Sequence, residues 1–218
     1  LGDVYKRQRT SYAPGEPIGL ILEQDDLSFY PIIYWAIEPK ASQPSVGAVK
    51  ALSNYLTRGG TIIFDTHDAN NHYQANGKSA ERIWLEDLSK KLPIPELEPV
   101  PRDHVITKTF YLLTNFTGRY DNGETWVETQ VYSESSNQDQ RPIRASDSVS
   151  SVIISSNDLA AAWAEDDLGQ PLYTLSSSSR NQHEMAIRGG INLVMYTLTG
   201  NYKSDQVHVR DLLERLAR

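Results

Sequence analysis

Apolar residues fall into short runs separated by polar stretches rich in proline, glycine and serine. Pro31–Ile37 (PIIYWAI) is β-branched and aromatic and predicts a buried strand. Ser42 followed by Pro44 predicts a helix start, because proline lacks an amide that the first turn leaves unpaired. Val46, Val49, Leu52, Tyr55 and Leu56 then recur at helical spacing, and Gly59-Gly60 closes the helix. Thr61–Asp65 follows at once as a strand. Strand, helix and strand in this order predict a right-handed βαβ unit in a parallel sheet.

The same reading extends along the chain. Residues 9–17 read as loop, Ile18–Leu22 as an edge strand and Asp25-Asp26 as a turn. Ser79 caps a second helix, Ala80–Lys91, with Ile83, Trp84, Leu85 and Leu88 on its apolar face and Pro93 and Pro95 stopping it. Residues 96–124 mix prolines, aromatics and turns, with Phe110–Leu113 as a buried patch, and Trp126–Val131 reads as a strand. Residues 133–150 are polar and predict a mobile surface loop. Val152–Ser155 and Leu159–Ala164 read as two strands around an Asn157-Asp158 turn, and a turn at Gly169 leads to Pro171–Leu175. Asn181–Leu198 predicts one long helix across the sheet, and Val207–Leu216 a terminal amphipathic helix. Gly189-Gly190 inside the long helix costs roughly 1 kcal/mol per glycine against alanine, so close packing on neighbouring backbone is expected there. The pattern predicts a single three-layer α/β domain with a mostly parallel sheet.

Composition narrows the partners. With 218 residues the chain can bury a sizeable core, and no apolar run approaches the ~18 residues of a membrane span. A net charge of -7 argues against nucleic acid and against an anionic membrane surface. There is no cysteine, which excludes disulfides, thiolate metal sites and a cysteine nucleophile. The chain begins with Leu1 and shows no signal peptide, so it is expected to be a piece of something longer.

Candidate chemistry centres on RGGTIIFDTHDANN, residues 58–71. In open parallel sheets ligands sit beyond the carboxyl ends of strands, and Asp65, Thr66, His67 and Asp68 fall there. A metal-assisted hydrolase would use Asp65, His67 and Asp68, with His72 as a further donor. Asp-x-His-Asp alone is a weak pattern, and polar-loop and helix-capping roles explain most such stretches. His104, His183 and His208 stand in no further ligand motif. There is no Gly-x-Ser-x-Gly elbow, no Gly-x-Gly-x-x-Gly and no P-loop. Glu184 and Arg188 are four apart on the long helix, where they pair on the surface or, if buried, orient a ligand. No cofactor is implied.

Several longer stretches carry a resemblance. GINLVMYTLTGNYKSDQVHV (190–209), DDLSFYPIIYWAI (25–37), RGGTIIFDT (58–66), DHVITKTFYLL (103–113) and NDLAAAWAEDD (157–167) resemble the bacterial domain-of-unknown-function family 4159, which is related to class I glutamine amidotransferases. The resemblance runs from about Arg9 to the end. It implies a flavodoxin-like, amidotransferase-like fold. It also implies a domain at the C-terminal end of a BatA-like protein anchored in the inner membrane, on the periplasmic side. The implied partners are other domains of that membrane protein or cell-envelope proteins.

Family members begin with a strand and helix upstream of Arg9, so residues 9–218 are expected to be one domain lacking both. In their place stands LGDVYKRQ, residues 1–8, which resembles a translated sequencing adapter. In the related amidotransferases the nucleophilic cysteine sits on the elbow after the strand matching Thr61–Asp65, where this chain has Asp65-Thr66-His67. Thiolate-dependent amidotransfer is therefore excluded. Asp65, Thr66, Asp158, Glu184, Arg188, Asn192, Tyr202, Lys203, Asp205 and Gln206 are the polar residues of the matching motifs expected to line that end. The sequence thus predicts a non-catalytic binding or scaffolding domain, with a metal-assisted hydrolase and a small-ligand sensor as alternatives.

Overall fold

A computed structural model describes residues 18–38, 40–70, 78–129, 149–166, 168–176 and 181–199. Five strands form one sheet: β1 (Ile32–Ala36), β2 (Thr61–Asp65), β3 (Leu97–Pro99), β4 (Thr125–Glu128) and β5 (Val152–Ser155). Their order is β1-β2-β5-β4-β3, with β1, β2 and β5 mutually parallel and β4 and β3 antiparallel to their neighbours. The helices are α1 (Val46–Thr57), α2 (Ala80–Ser89), α3 (Leu159–Trp163) and α4 (Gln182–Thr199). The architecture is α/β and matches a flavodoxin-like three-layer arrangement.

Alternation along the strands builds the layers, since successive side chains point to opposite faces. On one face Ile62, Phe64 and Val152 pack with Leu52, Tyr55 and Leu56 of α1 and Trp84, Leu85 and Leu88 of α2. On the other, Ile63, Ile153 and Val127 pack with Leu159 of α3 and Leu193 and Tyr196 of α4. With both faces covered, every residue of β2 is buried, as befits a central parallel strand. Gly59 adopts a left-handed φ of 93°, which ends α1 and returns the chain to β2. A Cβ on Gly60 would lie 2.2 Å from the Tyr55 ring, so that position admits no side chain.

Several expectations need correction. Ile18–Leu22 is not a strand but leads into a turn, closed by the Gln24 and Asp25 amides on the Ile21 carbonyl. The first helix starts at Val46 under a Ser45 cap, not at Ser42, and Val46 itself points to solvent. Leu159–Ala164 forms the helix α3 rather than a strand, for a reason that lies in the site described below. Of the Phe110–Leu113 patch only Leu113 is buried, while Phe110 and Leu112 are exposed. The strand β3 lies in a proline-rich stretch and ends on Pro99, which is tolerated because β3 is at the edge of the sheet. Gly189 and Gly190 pack on side chains and not on backbone: a Cβ on Gly190 would lie 3.1 Å from the Trp163 ring, and one on Gly189 3.4 Å from Phe116. Of the loop expected over 133–150, residues 133–148 lie outside the described residues, and Ser150 is buried rather than at the surface; the helix expected over 207–216 also lies outside the described residues.

One buried histidine gives the fold a pH dependence. His104 caps the short 3-10 turn Val105–Thr107, its Nδ1 accepting the Ile106 amide at 3.2 Å, and its ring meets Tyr196 edge-on. Burial holds its pKa below the ordinary 6.5. The unfolded chain therefore takes up this proton more readily than the folded one. The stabilisation is complete above the unfolded value and is lost as pH falls through the folded one. His104→Asn keeps a capping acceptor without the titration. Urea midpoints from pH 8 to pH 5 should fall less steeply in this variant than in the parent; equal slopes would remove His104 from the account.

Candidate functional site

The carboxyl ends of β2 and β5 and the loops after them hold a dense polar network. Asp65, the last residue of β2, is fully buried. Its Oδ1 accepts the backbone amides of His67 at 3.0 Å and Asp158 at 3.2 Å. Its Oδ2 accepts the Tyr34 hydroxyl and the Leu159 amide, both at 2.6 Å. The Tyr34 hydroxyl in turn accepts the Ala160 amide at 3.2 Å. Burial pushes the Asp65 carboxyl above its ordinary pKa, partly offset by the Tyr34 hydroxyl and the Leu159 and His67 amides. The Tyr34 phenol is driven strongly upward by burial and then by the Asp65 charge.

This arrangement explains α3. Amides at a helix start have no intrahelical acceptor, and here Asp65 and Tyr34 supply three of them with oxygen. The Ala160-Ala161-Ala162 run has high intrinsic helix propensity, so the segment coils once its amides are held. Asp158 takes a left-handed φ of 55° to enter the helix, which asparagine and aspartate tolerate best.

Asp68 is the second structural carboxylate. Thr66 Oγ1 donates to its Oδ1 at 2.6 Å and Ser79 Oγ to its Oδ2 at 2.5 Å, while Arg82 Nε lies 2.8 Å from Oδ2. Ser79 also caps α2 by accepting the Arg82 amide. Asp68 thus ties the elbow after β2 to the start of α2. Between the two aspartates, His67 has a φ of 39°, in the left-handed region that costs a side-chain-bearing residue about 1–3 kcal/mol. Its amide is held by Asp65, and its half-buried imidazole makes no hydrogen bond to a described residue. Among the described residues, no three His, Asp or Glu side chains gather where they could hold one metal ion.

The chain belongs to the DUF4159 family. Its model, described as a domain of unknown function, matches residues 3–198. No curated protein matches the chain. The match begins inside the stretch that resembles an adapter. It ends before residues 200–209, so that part of the resembling segment 190–209 lies beyond it.

The remaining candidates of this DUF4159 chain divide sharply. Asp158 sits beside Asp65, its Oδ2 3.6 Å from Arg119 Nη1. Glu184 and Arg188 form an exposed ion pair at the surface of α4, with Arg188 over the Tyr111 ring, and do not reach the sheet end as a buried pair. Asn192, on the same helix, is fully buried. Its Oδ1 accepts the Phe110 and Tyr111 amides, and its Nδ2 donates to the Ile106 and Tyr111 carbonyls. Tyr202, Lys203, Asp205 and Gln206 lie outside the described residues.

Sequence reasoning passed over three members of the network. The pattern marks Tyr34 only as part of the buried strand 31–37. The pattern marks Asn157 only as a turn residue; its amide bridges the Phe116 and Gly123 carbonyls and the Gly123 amide, binding the loop 116–124 to the end of β5. Gln182 donates to the Gly118 and Arg119 carbonyls. For Asn157 and Gln182 the one available signal is a polar side chain at the end of an otherwise apolar element; Tyr34, in the middle of β1, gives none. A cavity of about 390 Å³ also lies at the opposite end of the sheet, lined by Asp26, Tyr30, Tyr55 and Arg58, far from the position expected for a ligand. The strand-end network has the better claim as the functional region of the two, because it concentrates the buried polar groups and the strained backbone.

Proposed function

We propose that this DUF4159 chain is a non-catalytic binding or scaffolding domain of a membrane-anchored bacterial protein. The observation that carries the reading is the state of the strand-end carboxylates. Asp65 accepts four hydrogen bonds and Asp68 is engaged by Thr66, Ser79 and Arg82, so both are occupied in holding loops to strands. A general base or metal ligand needs a lone pair free for substrate or metal. At the elbow the Thr66 hydroxyl donates to Asp68, whose other oxygen is held by Ser79 and Arg82, so this pair too is tied up in joining the elbow to α2. The membrane anchor, the periplasmic side and partners among other envelope domains rest on the resemblance alone. No helix among the described residues is long and apolar enough to cross a membrane.

A second reading has one observation in its favour. The strained His67, with its imidazole unbonded to described residues, is placed to touch a small polar ligand at the strand ends. The metal-hydrolase reading instead requires Asp65 and Asp68 to release their donors. Metal analysis of untagged protein, with an assay panel of phosphate and carboxylate esters, separates these readings. The scaffold reading expects no stoichiometric metal and no turnover. Stoichiometric metal that disappears in His67→Ala would overturn it. A thermal-shift screen addresses the sensor reading, since a ligand at 100 times its Kd stabilises by about 2.7 kcal/mol.

A further inference from the structure

The long helix α4 is apolar on two faces. Ala186, Leu193 and Tyr196 point into the core. A second stripe, Ile187, Ile191, Val194 and Leu198, follows the i, i+4, i+7, i+11 spacing of one helix face. Ile191, Val194 and Leu198 are 36%, 43% and 55% exposed. Ile187, Ile191 and Val194 of this stripe, with Trp163, Gly190 and Met195, line a shallow cavity of about 370 Å³ that no charged side chain enters. A surface helix needs only one apolar face, and an open second one marks a contact still to be made.

We propose that this face is covered by the chain's own C-terminal segment, residues 207–216. Three observations select it over another occupant. The segment carries Val209, Leu212, Leu213 and Leu216 at i, i+3, i+4 and i+7, with Arg210, Asp211, Glu214 and Arg215 between them, so its sequence offers one apolar stripe. As a helix its ten residues would span about 15 Å, close to the roughly 17 Å from Ile187 to Leu198. Finally, α4 ends at Thr199, which leaves residues 200–206 as the connection, a length usual for antiparallel helix pairs. The open stripe runs to Leu198, next to the point where the connection begins. The cover would come from beyond residue 198, where the family match ends.

The chain has no cysteine, so paired substitutions introduce the only two thiols. An antiparallel arrangement sets Val194 opposite Leu213 and Ile191 opposite Leu216. The double variants Val194→Cys/Leu213→Cys and Ile191→Cys/Leu216→Cys, oxidised at low protein concentration, are read on non-reducing gels. An intramolecular disulfide in at least one pair, seen as a faster band that reduction abolishes, is expected. Failure of both pairs to close would overturn the proposal. So would a disulfide-linked dimer from Val194→Cys alone, which would place a second copy on the face. Hydrogen exchange on the unaltered chain keeps the proposal decidable if the variants misfold. Amides 207–216 should be protected and should lose that protection in Ile191→Asp. Unprotected amides, or protection unchanged by Ile191→Asp, would refute it.

Discussion

Replacing Asp65 by alanine should lower the unfolding free energy by about 3 kcal/mol or more, since each buried donor left without an acceptor costs about 1–3 kcal/mol. Four donors converge on the carboxylate: the amides of His67, Asp158 and Leu159 and the Tyr34 hydroxyl. The side chain is fully buried, so water does not replace it without opening the loop. Asp65→Asn should rescue little. An asparagine offers one acceptor oxygen and one NH2 group. Each carboxylate oxygen here faces at least one backbone N–H, so either amide orientation sets donor against donor. Urea unfolding followed by tryptophan fluorescence measures both variants. Parent-like midpoints for both would mean that the network does not hold the elbow.

The second large effect is expected at Asn192. Its amide satisfies two donors and two acceptors of the segment 106–111, and the side chain is fully buried. Asn192→Ala should destabilise the chain by about 2–4 kcal/mol. Asn192→Asp should also lose stability, because a carboxylate cannot donate to the Ile106 and Tyr111 carbonyls. The damage should start locally. Hydrogen exchange should show the Phe110 and Tyr111 amides, which the Asn192 oxygen holds, opening before the sheet does. Uniform exchange across the chain would show that this staple is part of the global core instead. Asn192 was a candidate for a ligand site; its bonds assign it to packing between α4 and the loop beneath.

The periodic elements were legible and the irregular ones were not. β2, α2 and α4 were readable because an apolar run with clear stops, a helical stripe behind the Ser79 cap, or a helical stripe sustained over about five turns leaves few alternatives. Leu159–Ala164 misled because short apolar runs suit strand and helix equally, and the deciding partner, Asp65, lies 94 residues away from Leu159 in sequence. The edge strand β3 is three residues of mixed character whose pairing comes from β4, so local pattern carried no trace of it. The position of the strand-end region was legible from topology, since Asp65, Thr66 and Asp68 do cluster there. Its role was not. A buried aspartate that accepts backbone amides and one that holds a metal look identical in sequence, and only the donors around them tell the two apart.

The central claim is that the polar groups at the strand ends are engaged with one another. A double-mutant cycle between Tyr34→Phe and Asp65→Ala, measured by urea unfolding, tests it most directly. Residues sharing one buried network couple by about 0.5–3 kcal/mol. The account predicts coupling within that range, with the double variant little worse than Asp65→Ala alone. Additive effects, with each single variant close to the parent in stability, would contradict it and return Asp65 to the list of groups free for chemistry.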